Sequence, residues 1–253
     1  MIKFCYFNLI TQDATDITAS TEDAFFPASN LKSHLSTKVW RSTAVSGNVV
    51  FDFKTIEAVD SILIKPSLDG FGFTGDLTIE ANATDSWGAP AYSTTITVDT
   101  TYSMGIKLLT SAESYRFWRI SGTGATYIEL SNIFIGSKFE PGKNITFNWT
   151  YDYKDHSKVS TTRYRQQYID EIVNQKIING QIQYLTSAEM DTFTDFTDLV
   201  GVRKPFWIIL DDDEEFSPSK YLFAGQFFFR ARPSLSNVAF GYYNTKLGMV
   251  ECI

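Results

Sequence analysis

The chain has 253 residues, of which 43% are hydrophobic and 20% charged, a profile typical of globular rather than disordered proteins. Its 22 basic and 29 acidic residues give a formal net charge of −7, which excludes the basic surface that nucleic-acid binding needs. Aromatic residues make up 15% of the chain, and they favour half-buried strands over helices. The composition therefore predicts a mostly β protein that does not bind nucleic acid.

Residues 1–23 are predicted to form an N-terminal strand followed by a polar arm. Short apolar segments separated by turn residues then continue to Lys138. The predicted strands are residues 48–53, 58–65, 77–83, 93–98, 115–121 and 127–136. Short strands at this spacing are typical of a β-sandwich, which we predict over residues 24–138.

The C-terminal part, residues 139–253, is predicted to be a second β-rich domain with one helix. Its start is marked by the strong turn signal Glu140-Pro141-Gly142-Lys143. Asn179-Gly180 indicates a hairpin turn. Thr186-Ser187-Ala188-Glu189 has the pattern of a capping box, and apolar residues at helical spacing follow it. These signals predict a helix near residues 187–200.

The two cysteines, Cys5 and Cys252, stand near opposite ends of the chain. Secreted domains stabilised by disulfides carry more cysteines, so two buried thiols are favoured over one bridge. No stretch approaches the roughly 20 apolar residues of a membrane span. The apolar run at residues 4–10 is also too short for the core of a secretory signal. The sequence predicts a protein without membrane insertion or export by a standard route.

Sequence motifs of enzymes and cofactor sites do not occur in this chain. The two histidines, His34 and His156, lie in no zinc-binding pattern. Phosphate-binding loops, dinucleotide fingerprints and nucleophile elbows are missing. The acidic run at residues 211–215 could bind calcium, but consecutive carboxylates cannot all face one ion, which favours a solvated hairpin tip. We predict a non-enzymatic protein with no metal and no cofactor.

Aromatic residues supply the candidate contact surfaces. In the segment 221–229, four aromatic side chains share one face of an extended strand: Tyr221, Phe223, Phe227 and Phe229. A strand that is apolar on both faces is either central in a core or covered by a partner, so a core and a subunit interface both stay open. Trp87 lies in a loop beside Gly88 and Pro90, where it could stack on a sugar ring or pack at the base of the loop.

Six segments of the first part occur in the order of a known family. They are residues 24–31, 36–42, 49–53, 56–62, 115–120 and 128–135. In this order they resemble the discoidin (coagulation factor type C) family of galactose-binding-like β-sandwiches. The resemblance implies a jelly-roll sandwich, but it assigns sugar binding to no named residue. If the chain is a carbohydrate-binding module, the candidates to stack on and hydrogen-bond a sugar are Trp87, Trp40 and Arg41, with a core position favoured for Trp40. Residues 31–35 replace the Asp-Gly-Asp-like loop of calcium-binding members, so no metal site is implied.

Two of these segments are similar to the version of the pattern found in bacteriophage tail proteins. They are Phe26-Pro27-Ala28-Ser29-Asn30-Leu31 and Lys38-Val39-Trp40-Arg41-Ser42. The helix after Thr186, the segment 201–208 and the strand carrying Gly225 are similar to the second part of such proteins. The resemblance implies a distal tail or baseplate subunit, made in the host cytoplasm and located in the tail of the virion. Its implied partners are its own copies in a hexameric ring, the tail tube and hub, and a host-surface glycan. The alternative is a carbohydrate-binding module of a non-viral two-domain β protein.

Overall fold

The computed structural model describes residues 1–66, 76–99, 101–161, 163, 165, 167–172, 174–210 and 221–252. Strands dominate this part of the chain and one α-helix accompanies them, so the predicted mostly β fold class is confirmed. The chain divides into two compact units, which we call the N-terminal unit (residues 5–138) and the C-terminal unit (residues 1–4 and 139–253). Among the described residues, no helix has the length and apolarity that crossing a membrane requires.

The N-terminal unit is an antiparallel β-sandwich. Strand β1 (Lys3–Asn8) begins in the C-terminal unit, and the strands that follow it are β2 (Asp16–Ala19), β3 (Trp40–Arg41), β4 (Ser46–Pro66), β5 (Asp76–Asn82), β6 (Tyr92–Asp99), β7 (Met104–Thr123) and β8 (Glu129–Phe139). The first half of β4 pairs with β2 and β7, and its second half pairs with β7 and β8. Beyond β7 lie β5 and then β6. Buried residues from both halves of β4 meet in one core, which makes the two layers a sandwich.

Alternation along the strands decides which residues enter this core. Val49 of β4 and Ile79 of β5 both lie opposite Ile120 of β7, and all three side chains are buried. Because successive strand residues point to opposite faces, their neighbours Thr78 and Ser121 lie on the outer face of the same sheet. This outer face is where the polar residues of the unit collect.

Residues 11–23, predicted to be part of a polar arm, belong to the N-terminal unit instead. Residues 16–19 form β2, which pairs with β4 and places Ile17 opposite Phe51. Ile17 and Ala19 pack against the core of the sandwich. The prediction was wrong because an alternation of only four residues is too short to distinguish from a polar loop in the sequence.

A bend in β4 is fixed by Asp52. The pairing of β4 with β7 shifts register after Asp52, and Lys54 has a positive φ of 68°. Asp52 Oδ1 accepts hydrogen bonds from Arg116 Nε at 2.7 Å and from the backbone N–H of Lys54 at 2.9 Å. The bonds from Arg116, and then those from Lys54, hold the pKa of Asp52 well below its usual range. The carboxylate therefore stays charged and holds both sides of the bend.

The C-terminal unit combines one sheet with one helix. Its elements are β9 (Thr150–Lys154), β10 (Lys158–Thr161), β11 (Gln167–Asp170), β12 (Gln175–Thr186), α1 (Ser187–Val200), β13 (Phe206–Ile209), β14 (Ala224–Phe229), β15 (Leu235–Ala239) and β16 (Tyr242–Glu251). The strand order is β13-β14-β16-β12-β9, with β15 also paired to β16. Strands β10 and β11 form a separate two-stranded sheet.

Helix α1 confirms the predicted helix and its capping box. The Oγ1 of Thr186 accepts a hydrogen bond from the backbone N–H of Glu189, whose carboxylate accepts one from the N–H of Thr186 at 2.7 Å. Glu189 also accepts a hydrogen bond from the N–H of Gly142. Burial alone would raise the pKa of Glu189, but the bonds from Thr186 and Gly142 outweigh it and lower the pKa. The start of the helix is thus tied to the turn after β8.

An aromatic cluster fills the interior of the C-terminal unit. Phe4 is buried, and its ring lies 5.4 to 6.3 Å from four others, between ring centroids. These rings belong to Phe139, Phe193, Phe196 and Phe206. Burying aromatic rings removes a large apolar area from water, so this cluster is a main source of stability for the unit.

The remaining expectations for the fold have different outcomes. The predicted hairpin turn at Asn179-Gly180 is wrong, because β12 runs straight through both residues and pairs them with β16. Glycine is needed at position 180 for close packing, since a Cβ there would lie 2.2 Å from Ile145 Cδ1.

Cys5 and Cys252 are buried thiols, as favoured above. The acidic run at residues 211–215 lies outside the described residues.

Candidate functional site

Trp40 is a core residue of the N-terminal unit. Its side chain is 1% exposed, and its Nε1 donates a hydrogen bond to the carbonyl oxygen of Thr21 at 3.2 Å. A ligand cannot stack on a ring that the protein encloses on both faces. The expectation that Trp40 contacts a glycan is therefore wrong, and its core alternative holds.

Arg41 is half-buried between two aromatic rings. Its guanidinium carbon lies 4.2 Å from the ring centroid of Phe26 and 4.6 Å from that of Tyr127. Its Nε also pairs with the buried carboxylate of Glu129 at 2.5 Å. Burial would lower the pKa of Arg41, but the hydrogen bond and charge of Glu129 raise it, so the side chain stays positive. These contacts hold Arg41 against Phe26, Tyr127 and Glu129, and its contact with a glycan stays a prediction.

Trp87 is half-buried in the loop between β5 and β6, and it is held from two sides. Its Nε1 donates a hydrogen bond to Asp85 Oδ1 at 2.7 Å. The guanidinium carbon of Arg119 lies 4.5 Å from the indole, within the range of a cation–π contact. Arg119 in turn pairs with the buried carboxylate of Glu80, with its Nε at 2.7 Å and its Nη2 at 2.5 Å. These contacts fix the orientation of the indole before any ligand arrives.

Strand register places this group on the polar outer face of the sheet. Glu80 lies opposite Arg119 on β5 and β7, and Thr78 lies opposite Ser121 one step further along the same face. On the other side of β7, Asn48 of β4 also lies opposite Ser121. The Trp87 group and these polar side chains therefore form one continuous surface, which we call the outer face.

A cleft of about 740 Å³ opens at the far end of the outer face. The residues that line it are mostly small and polar: Ser20, Thr21, Ala44, Ser46, Gly47, Asn48, Asp76, Thr78, Ser121, Gly122 and Thr123. Asp76 is the one charged residue of this lining, and its Oδ1 accepts a hydrogen bond from Thr97 Oγ1 at 2.7 Å. Such a lining offers many hydrogen-bond donors and acceptors.

The predicted interface strand of the C-terminal unit is partly core. Phe227 and Phe229 are 1% and 2% exposed, so the interface expectation is wrong for them and the core alternative applies. Tyr221 and Phe223 are half-buried, and the ring of Phe223 lies 5.0 Å from that of Trp149. For these two residues the interface stays a prediction. No group of three or more potential metal ligands lies together in the described part of the chain.

The sequence does not identify the residues that surround Trp87 as part of a site. Arg119 and Glu80 fall in predicted strands, at positions that alternate with apolar residues, which indicates that they face outward. Nothing in the sequence indicates that the two strands are neighbours, or that the loop carrying Trp87 folds over Arg119. The cleft was missed for the same reason, because its lining comes from distant segments.

Comparison with known proteins finds no matching family model and no matching curated protein. Solved structures resemble about half of the chain. The family 32 carbohydrate-binding module of C. perfringens NanJ, solved with galactose, is 15% identical over 55% of this chain and all of that one, with a TM-score of 0.44. Chitosan-binding module 1 of the chitosanase/glucanase from Paenibacillus sp. IK-5 is 21% identical over 52% of this chain and all of that one, with a TM-score of 0.41. With TM-scores below 0.5, these likenesses do not establish what this chain binds.

Proposed function

We propose that the N-terminal unit binds a carbohydrate, without cleaving it, on its outer face at Trp87. The observation that carries the proposal is the fixed, half-exposed indole among charged and polar side chains. A pyranose ring has an apolar C–H face, which stacks on an aromatic ring, and a rim of hydroxyl groups, which need hydrogen-bond partners. Arg119, held by the buried carboxylate of Glu80, and Asp85 supply charged groups beside the indole.

The rigidity of Trp87 favours binding. A ligand that immobilises a mobile side chain loses part of its binding free energy to the ordering of that side chain. Here the hydrogen bond to Asp85 and the contact with Arg119 have already removed that freedom. A stacking sugar would therefore meet a surface that is ordered in advance.

Binding without cleavage follows from the carboxylates of this face. Hydrolysis of a glycosidic bond usually takes two carboxyl groups on opposite sides of the bond, one acting as an acid. Glu80 is committed to Arg119, and Asp76 is the one carboxylate of the cleft lining. Asp85, the remaining carboxylate beside Trp87 among the described residues, accepts the hydrogen bond of the indole Nε1, so we expect the face to hold a sugar without cleaving it.

The test is a glycan array followed by calorimetry with the full chain. Trp87→Ala should abolish saturable binding, whereas Trp87→Phe, which keeps an aromatic face, should retain part of it. Phe240→Ala removes an exposed ring of the C-terminal unit and should leave binding unchanged. Circular dichroism of each variant checks that it folds. Binding that persists unchanged in Trp87→Ala, or no binding across the array, contradicts the proposal.

A second candidate function is structural, as a self-assembling subunit of a phage tail tip. The C-terminal unit exposes apolar side chains that a soluble monomer would usually cover, with Phe147 96% exposed and Phe240 fully exposed. In the β10–β11 hairpin, Val159 and Ile169 lie opposite each other and are both exposed. Light scattering tests this function: a mass of six subunits supports it, and a monomer at every concentration contradicts it.

A further inference from the structure

We infer that the cleft at the far end of the outer face is a second sugar subsite, so that the face takes an oligosaccharide of uncharged units rather than a single sugar. The inference rests on the proposed function, because it extends the binding surface that begins at Trp87. It adds two properties that the Trp87 group alone does not imply. These are a preference for longer chains and a discrimination against acidic sugars.

The two sites are connected by the strands themselves. From Glu80 and Arg119 beneath Trp87, β5 and β7 both lead along the outer face to Asp76 and Thr123, which line the cleft. Four residues of a strand span about 13 Å. This distance is longer than one pyranose ring, so a single sugar stacked on Trp87 would not fill the cleft. A chain of linked sugars running parallel to the strands would reach it.

The lining of the cleft matches a ligand rich in hydroxyl groups. Hydroxyl side chains both donate and accept hydrogen bonds, and the amide of Asn48 does the same with separate atoms.

Charge decides the kind of sugar. Among the described residues of the cleft lining, Asp76 is the one ionisable side chain, and no lysine, arginine or histidine accompanies it. A uronic acid or sulfated sugar would place its negative charge near this carboxylate without a cation to balance it. Neutral sugars avoid the repulsion. The cleft therefore suits uncharged units.

Calorimetry with matched probes tests the subsite. The probes are galactose, glucose and mannose, each as the monosaccharide and as a linear tetrasaccharide, together with the tetrasaccharides of the corresponding uronates. We expect a neutral tetrasaccharide to bind about tenfold more tightly than its monosaccharide, a gain within reach of a few added hydrogen bonds. The uronate tetrasaccharide should bind more weakly than the neutral one.

Variants of the lining separate this inference from the proposed function. Ser46→Ala and Thr123→Ala, which lie opposite each other at the far end of the cleft, should each weaken tetrasaccharide binding about threefold to tenfold and leave the monosaccharide unchanged. Asp76→Asn should raise the affinity for the uronate tetrasaccharide. The matched control is Thr95→Ala, which removes an exposed hydroxyl opposite Thr78 on the neighbouring strand, outside the cleft lining.

The outcomes distinguish the second subsite from the proposed carbohydrate binding at Trp87. Equal affinities for monosaccharide and tetrasaccharide, or cleft variants that behave like Thr95→Ala, overturn the second subsite while Trp87-dependent binding still stands. If Trp87→Ala leaves all binding unchanged, or no probe and no array glycan binds, the proposed function fails and the subsite fails with it.

Discussion

Replacing Gly136 with alanine should destabilise the N-terminal unit strongly. Gly136 lies in β8, and a Cβ at this position would stand 2.2 Å from the carbonyl oxygen of Phe7 in β1 and 3.0 Å from the ring of Phe134. Ordinary contacts begin at 3.4 Å, so backbone would have to retreat by roughly 1 Å. Phe7 precedes Asn8, whose side chain donates to the carbonyl of Ile133 at 2.7 Å. Movement of β1 therefore puts at least this hydrogen bond at risk.

The magnitude follows from two contributions. Overpacking a well-filled interior costs about 1–3 kcal/mol, and each lost hydrogen bond adds about 1 kcal/mol. We expect Gly136→Ala to lower the free energy of unfolding by about 2–4 kcal/mol, which for a chain of this size is a drop in Tm of roughly 10 °C.

The assay is urea denaturation followed by tryptophan fluorescence, with Gly88→Ala as the control. Gly88 has no atom within 4 Å of the position of an added Cβ, so its variant should unfold within about 0.5 kcal/mol of the wild type. If Gly136→Ala unfolds at the same denaturant concentration as Gly88→Ala, the close approach of β1 to β8 is not present in the protein, and the reasoning is refuted.

Two further predictions concern hydrogen-bonded side chains. Because Arg116 lowers the pKa of Asp52, the stabilisation by this carboxylate is complete above its unfolded pKa of about 4 and is lost as the pH falls towards the lowered folded value. Asp52→Asn should therefore lower the free energy of unfolding at about pH 6 more than at about pH 3; an equal loss at both would contradict the assignment. Thr186→Ala should destabilise the C-terminal unit by about 1 kcal/mol because it removes the cap of α1, while Thr186→Ser should restore most of the loss in thermal melts.

Local signals explain which parts of the fold were predictable. The capping box at Thr186 and the helical spacing after it act within a few residues, so the sequence alone indicates the helix. The mostly β class follows from composition and alternation, which are also local. By contrast, Asn179-Gly180 has the composition of a turn, but the packing of Ile145 on Gly180 explains the glycine. That contact joins segments 35 residues apart in the sequence, and no local pattern reports it.

The candidate site was predictable only in its most exposed part. Trp87 stands in a loop with turn residues, so an exposed aromatic ring was a reasonable expectation. Its partner Arg119 belongs to a strand that becomes a neighbour only through the pairing of β5 with β7. Trp40 is excluded as a glycan contact for a similar reason. The chain around Thr21 encloses its side chain, whereas the sequence leaves both a core position and a glycan contact open.

The position of Phe4 gives the chain a particular modular order. Its ring lies 6.2 Å from that of Phe139, so the residues that flank the sandwich in the sequence meet inside the C-terminal unit. The sandwich is thus a cassette inserted into a domain whose first four residues are made before it and whose remainder is made after it. During synthesis this domain must wait for the whole cassette to be translated before its aromatic cluster can close. Exchange of the cassette between residues 4 and 139 would leave the sequence of the surrounding domain intact, so the two units can diverge in sequence independently.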